Sequence, residues 1–329
     1  MSREKKQFLF SLLLAAVIVT FIGRGEEVLS QEKYPARAIE IIGPYSPGGT
    51  NDALARITAD YLKKKWRVPI NVVNKPGGNT IPANLELYRA APDGYTVMCD
   101  QVEASIMLEV TEKNLPFKVF DRTWIGISLL GGMMFALPST TPYKGFDDVV
   151  ADIKRDPENF TWTSYGGMGA ADTCFRSLFR AIGVDVRRTK PVACEGGAKC
   201  TALIAGGHVK MGSVGLSAAS VGAMDAGTIR ALAMVGTRYP SFPQLVSTSE
   251  LGYPNVKFEG WIGFSGPPKM PSYIVDIWNK ELREMTKDPE VISRFEKLKI
   301  PLIFRSSPQM QEQAARQVKE LAELYPPAR

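Results

Sequence analysis

A short apolar run, Ile39–Ile42, ends in the Pro- and Gly-rich turn Pro44–Gly49. A periodic segment with Leu54, Ile57, Tyr61 and Leu62 on one face follows at once. Strand, glycine turn and helix start within so few residues commit this stretch to an α/β plan. Thr50, Asn51 and Asp52 offer N-cap side chains to that helix. Such a junction aims unpaired backbone N–H groups and the positive end of a helix at one spot, which suits an anion. The same junction also serves many α/β proteins as a plain tight turn.

The alternation continues. A strand-like Pro69–Val73 leads through the turn Asn74–Asn79 to a helical segment near Ala83–Ala90. The turn Ala91-Pro92-Asp93-Gly94 and a strand over Tyr95–Cys99 follow, the βαβαβ pattern of a largely parallel sheet. Trp124–Leu130 and Met133–Leu137 are further apolar runs, and Gly131-Gly132 between them reads as a first crossing between lobes. The plan then restarts with a helix at Phe146–Arg155, a strand at Thr161–Ser164 and a second glycine loop. Behind that loop Cys174, Phe175, Leu178, Phe179 and Ile182 fall at helical core spacing. Strands are expected at Pro191–Cys194, Val209–Val214, Ile229–Val235 and Phe258–Phe264. Helices are expected at Gly197–Ala205, Ala218–Ala226, Ser272–Thr286, Glu290–Leu298 and Pro308–Leu324.

The second loop, Ser164-Tyr165-Gly166-Gly167-Met168-Gly169-Ala170-Ala171-Asp172, strengthens the anion reading of the first, Tyr45-Ser46-Pro47-Gly48-Gly49-Thr50-Asn51-Asp52. Its three glycines permit positive φ and close backbone approach immediately before a helix. It lacks the third glycine of a dinucleotide fingerprint, and the chain has no Walker phosphate loop. Catalysis finds little support. The only histidine, His208, sits in a glycine turn, and no G-x-S-x-G sequence occurs. Asp147 and Asp148 fall at a helix start, and Lys63, Lys64 and Lys65 at a helix end, where the macrodipole accounts for them. Trp124, Trp162 and Trp261 read as core or cleft wall.

Arg3, Lys5 and Lys6 precede an uncharged apolar run, Phe8–Ile22, and small or moderate residues lie at 28–30. That order is a secretory signal with cleavage near Ser30, since the run falls short of the ~20 residues that span a bilayer. Removing its four basic and three acidic residues lowers the net charge from +6 to +5. The positive residues are too dispersed for a nucleic-acid surface but suit small anions. Roughly 300 residues remain, which predicts two lobes. Cys194 and Cys200 are close enough to pair in an oxidising compartment, or they are two buried thiols; zinc fits neither their spacing nor the lone histidine.

Read in order, several pieces resemble the extracytoplasmic solute receptors of the tripartite tricarboxylate transporter family, also called Bug proteins. They are Tyr34-Pro35 through Ile41, Pro47-Gly48-Gly49-Thr50-x-Asp52, Asn74-Lys75-Pro76-Gly77-Gly78 and Ala91-Pro92-Asp93-Gly94-Tyr95-Thr96. Gly196-Gly197, Leu203 with Gly206-Gly207-His208-Val209, Glu250-Leu251-Gly252, Gly260-Trp261-x-Gly263 with Pro267, and Asp288-Pro289-Glu290-Val291 continue the set. The resemblance implies an α/β, two-lobed type II periplasmic-binding-protein fold, each lobe a mixed sheet covered by helices. Lobe 1 would comprise residues 31–131 and 254–329, and lobe 2 residues 132–253. It implies a monomeric periplasmic receptor, not an enzyme, with no cofactor or metal. The ligand would be an organic carboxylate held in the cleft and delivered to membrane permease subunits. A sensing module that signals to a membrane sensor kinase is the alternative. By position, the backbone amides of Tyr45–Asp52 and Ser164–Thr173, with ordered water, would grip the carboxylate, and Asp52 would cap the first helix. Ala170 and Thr173 stand where the family commonly has serine and histidine, which removes two side-chain donors.

Overall fold

A six-stranded sheet, a three-stranded sheet and a two-stranded pair beside the latter divide the described residues between them. The computed structural model describes residues 34–325 except Glu195, Pro240 and Lys299, so the signal-like segment and its cleavage position lie outside the described residues. The first sheet has six strands: β1 (Ile39–Gly43), β2 (Ile70–Asn74), β3 (Thr96–Gln101), β4 (Thr123–Gly131), β10 (Gly260–Gly266) and β11 (Leu302–Arg305), in the order β11-β4-β10-β3-β1-β2. β5 (Met133–Pro138), β8 (Gly212–Gly215) and β9 (Ile229–Met234) form an antiparallel β8-β5-β9 sheet. β6 (Thr161–Ser164) and β7 (Lys190–Ala193) pair in parallel, and a bridge from Trp162 to Met211 ties that pair to the start of β8.

The expected parallel sheet is confined to β3-β1-β2, where Ile41 lies opposite both Val72 and Val97. β10 runs antiparallel to β3 and β4. The cause is connectivity. β4 carries the chain toward the second sheet and β10 brings it back, so as neighbours they must run in opposite directions. At the crossing Gly260 lies opposite Gly131. A Cβ on Gly260 would come within 3.0 Å of the Gly131 carbonyl oxygen, and one on Gly132 within 2.7 Å of the Tyr239 ring. Side chains cannot fit where the two connections touch.

Helices cover both sheets: α1 (Thr50–Trp66), α2 (Ile81–Arg89), α3 (Ile106–Thr111), α4 (Phe146–Arg155), α5 (Ala170–Ile182), α6 (Gly197–Ala205), α7 (Ala218–Asp225), α8 (Ser272–Met285), α9 (Pro289–Lys297) and α10 (Ser307–Ala322). The apolar face of α5 packs Phe175 and Phe179 against Trp162, with Phe135 and Phe160 around them. In the other lobe Trp124 and Trp261 meet edge-on in a cluster with Val102, Ile106, Met107 and Met310. All three tryptophans are therefore core. Trp261 Nε1 donates to Gln317 Oε1 at 2.7 Å and Trp162 Nε1 to Thr189 Oγ1 at 2.9 Å, which satisfies their buried N–H groups. α3 and β11 were not foreseen, and the strand expected over Val209–Val214 begins only at Gly212. Cys194 and Cys200 are joined in a disulfide, whereas Cys99 and Cys174 are free and buried.

Candidate functional site

The first loop closes differently from its sequence reading. The N-cap of α1 is Gly49, with extended backbone, and Thr50, Asn51 and Asp52 occupy the first turn itself. None of the three is therefore the cap. Asp52 instead reaches back: its Oδ2 accepts the Gly48 N–H at 3.0 Å and Arg56 Nε at 2.9 Å, and its Oδ1 accepts Asn74 Nδ2 at 2.9 Å. Burial works against the charge of Asp52, but Arg56, the Gly48 amide and Asn74 together outweigh it and lower the pKa. Asn74 Nδ2 also donates to the Tyr45 carbonyl at 3.0 Å. Ser46, Pro47, Gly48 and Gly49 are exposed, and a Cβ on Gly49 would meet nothing within 4 Å. Among the described residues, the N–H groups of Gly49, Thr50 and Asn51 have no protein acceptor, the ordinary state of a helix start open to solvent or solute.

The second loop is wound around one carboxylate. Asp172, fully buried in the first turn of α5, accepts Ser164 Oγ at 2.5 Å and the N–H groups of Tyr165, Gly167 and Gly169 at 2.9, 3.0 and 3.0 Å. Ser164 Oγ in turn accepts the Gly166 and Gly167 N–H groups at 3.2 and 3.1 Å. Gly166 and Gly167 stand at φ +87° and +95°, which this inward turn of the amides requires. The amides expected to face a guest are thus already engaged. Among the described residues, those of Met168, Ala170 and Ala171 have no protein acceptor. Thr173 Oγ1 accompanies the Gly169 carbonyl and the Tyr325 hydroxyl at 3.0 and 2.9 Å, so its hydroxyl serves the protein.

Both loops abut residues 101–107 of the first lobe. Met168 packs into the cluster of Val102, Ile106 and Met107, and Thr173 Oγ1 lies 3.9 Å from Met107 Sδ. On the other side Asn51 Nδ2 donates to the Cys99 carbonyl at 2.8 Å and to Gln101 Oε1 at 3.2 Å. Gln101 Nε2 donates to Glu103 Oε2 at 3.0 Å. The Tyr45 hydroxyl is enclosed beside Gln101 without a well-formed hydrogen bond. Burial, then Glu103 and Asp100, push its pKa well above the ordinary value. Tyr165, from the second loop, is likewise raised by burial and then by Glu103.

Beneath β3 lies an ion pair that sequence reading missed. Arg122 Nη1 donates to Asp100 Oδ2 at 2.5 Å, Nη2 to Asn84 Oδ1 at 2.7 Å and Nε to the Val119 carbonyl at 3.0 Å, with the whole pair out of solvent. Every guanidinium edge is used, the condition under which a buried pair is tolerated. His208 is an exposed turn residue. Among the described residues, no group of three His, Cys, Asp or Glu could hold a metal, and no helix is long and apolar enough to cross a membrane.

Two lobes on separate sheets, each presenting a glycine loop and a helix start to the same strip of residues 101–107, define a two-lobed solute receptor. The family model described as tripartite tricarboxylate transporter family receptor matches residues 54–325, and the chain belongs to that family of solute-binding receptors, which are not enzymes. Protein BugT of Bordetella pertussis is 25% identical over 288 residues, which cover 86% of this chain and 87% of BugT. The structure of the periplasmic binding protein BugD superposes with a TM-score of 0.77 at 23% identity, covering 89% of this chain and 97% of BugD. MatC from Rhodopseudomonas palustris with bound malate superposes with a TM-score of 0.78 at 19% identity, covering 89% and 100%. These two establish likeness of fold.

Proposed function

We propose that the receptor closes its lobes on an organic carboxylate and hands it to the membrane permease subunits of a tripartite tricarboxylate-type transporter. The observation that carries this reading is the open first turn of α1, whose Gly49, Thr50 and Asn51 amides lack acceptors beneath exposed glycines. The helix dipole adds to their pull on a negative group. Hydrogen bonds to a charged group are worth about 1.5–3 kcal/mol each. Three of them, with apolar contact, match the roughly 8 kcal/mol of micromolar affinity after ordering costs. Met168, Ala170 and Ala171 supply the opposing amides. The malate in MatC agrees with the carboxylate class.

In the same reading the lobes are residues 31–131 with 254–329 and residues 132–253, the glycines at 131, 132 and 260 form the hinge, and the mature chain begins after Ser30 and acts as a monomer in the periplasm. A thermal-shift screen of residues 31–329 against a carboxylate panel tests the central claim. A cleft ligand at a hundredfold over its Kd adds about 2.7 kcal/mol, a rise of roughly 5 °C for a chain of this size. No shift from any carboxylate contradicts the proposal.

A further inference from the structure

The strip between the two loops holds acceptors that no cation among the described residues answers. Asp100 is neutralised by Arg122. Among the described residues Glu103, three residues on, receives only Gln101 Nε2 and its own backbone N–H, and no Lys or Arg nitrogen lies within 4.0 Å of its carboxylate. Asn51 is 4% exposed and commits its Nδ2 to Cys99 and Gln101, which leaves Oδ1 as a buried acceptor with no donor. The Tyr45 hydroxyl lies beside Gln101 without a well-formed hydrogen bond. Gln101 joins the two acceptors: it accepts from Asn51 Nδ2 at 3.2 Å and donates to Glu103 Oε2 at 3.0 Å, so Glu103 lies one side chain from the first helical turn behind the first loop.

We propose that Glu103, with Asn51 Oδ1, selects a guest whose end remote from the gripped carboxylate is an uncharged or cationic N–H donor, and disfavours a second carboxylate. This rests on the carboxylate-gripping reading above. A buried acceptor left without a donor costs free energy, and an uncompensated carboxylate repels a like charge, so a guest that brings N–H groups relieves both. Burial raises the pKa of Glu103, so its ionised form is held at a cost that an N–H donor from a guest would offset.

The test is calorimetric titration of the mature receptor with guests of three chain lengths, each as dicarboxylate, monoamide and terminal amine. The three series are succinate, succinamate and 3-aminopropanoate; glutarate, glutaramate and 4-aminobutanoate; and adipate, adipamate and 5-aminopentanoate. At the best-fitting length and pH 7.5, the amide- or amine-ended guest should bind at least tenfold tighter than the dicarboxylate. Glu103→Gln, a near-isostere, should erase the preference for the amine and tighten dicarboxylate binding. In the wild type, dicarboxylate affinity should rise more steeply as pH falls than it does in Glu103→Gln, where only the guest's own carboxylates titrate. Amide against amine separates a neutral donor from a cation. Dicarboxylates that bind as tightly as the donor-ended guests, or a Glu103→Gln effect equal on all three forms, overturn the selectivity claim and leave the receptor reading standing. Failure of every carboxylate-bearing guest to bind overturns the receptor reading, and this inference with it.

Discussion

The two glycine loops share a plan and differ in what their amides do. In each, an aspartate in the first helical turn reaches back to accept loop N–H groups. Asp52 holds one loop amide, that of Gly48, and spends its other capacity on Arg56 and Asn74. Asp172 holds three amides and the Ser164 hydroxyl, and is fully buried. The first loop is exposed, whereas the second is partly covered and leans on Tyr165, with Gly169 set so that a Cβ would fall 2.5 Å from Tyr165 Cβ. A glycine loop before a helix can therefore be a socket or a knot. The position of its acid alone does not tell which; the number of amides that acid consumes does.

The contrast is broken most severely at Asp172. Asn in its place offers one acceptor oxygen to four donors, two of them buried, and turns an NH2 toward some of them. We expect Asp172→Asn to destabilise by about 3 kcal/mol, read as a lower urea midpoint at unchanged m, with faster amide exchange at residues 165–169. An unchanged midpoint would mean the knot is ornamental. The opposite signature is expected at Gly49. Its φ of −85° suits any residue and the space beside it is open, so Gly49→Val should fold with a loss of about 1 kcal/mol or less. It should nevertheless weaken carboxylate binding at least a hundredfold, about 2.7 kcal/mol, by calorimetry. Unaltered affinity would move the guest away from the first loop.

Next in size is the disulfide. The Cys194 amide donates to the Ser164 carbonyl at 2.9 Å, so the Cys194–Cys200 crosslink braces the strand beside the second loop. Closing so short a loop is worth about 2 kcal/mol in the chain-entropy picture. The reduced protein should melt several degrees lower, with ligand affinity falling less than in Gly49→Val because only the second loop's opposing amides are loosened.

Local punctuation made much of this legible. α4, β6 and α6 run as expected to the residue, because Gly, Pro and Asp mark their ends. The sheet order did not follow: placing β10 between β3 and β4 depends on a return from residues 131 to 260 that no window of sequence contains. β11 is short and only partly buried, which leaves little periodicity to read. At the site, both loops and both aspartates stood out, but their hydrogen bonds did not. Thr50, Asn51 and Asp52 have capping chemistry, yet Gly49 supplies the extended backbone first and displaces them into the helix. Asp100 with Arg122, and Gln101 with Glu103, carried no motif. Their meaning comes from which charge has a partner, and only tertiary contact decides that.

The smallest expected effect sharpens the comparison through pH. In Asp52→Asn the bonds from Arg56 and Asn74 weaken, yet Arg56 is half exposed and solvent screens much of its charge, so the loss near pH 7 should be about 1 kcal/mol. The sign follows from the lowered pKa of Asp52. Its ionised form is favoured in the fold, so its contribution is full above the ordinary value of 3.8 and disappears as pH falls through the lower folded value. Wild type and Asp52→Asn should therefore differ at neutral pH and converge in urea titrations as the pH falls through the lowered folded value of Asp52. A difference that persists in acid would mean that Asp52 holds the Gly48 amide by shape rather than by charge, and the two loops would then differ in geometry alone.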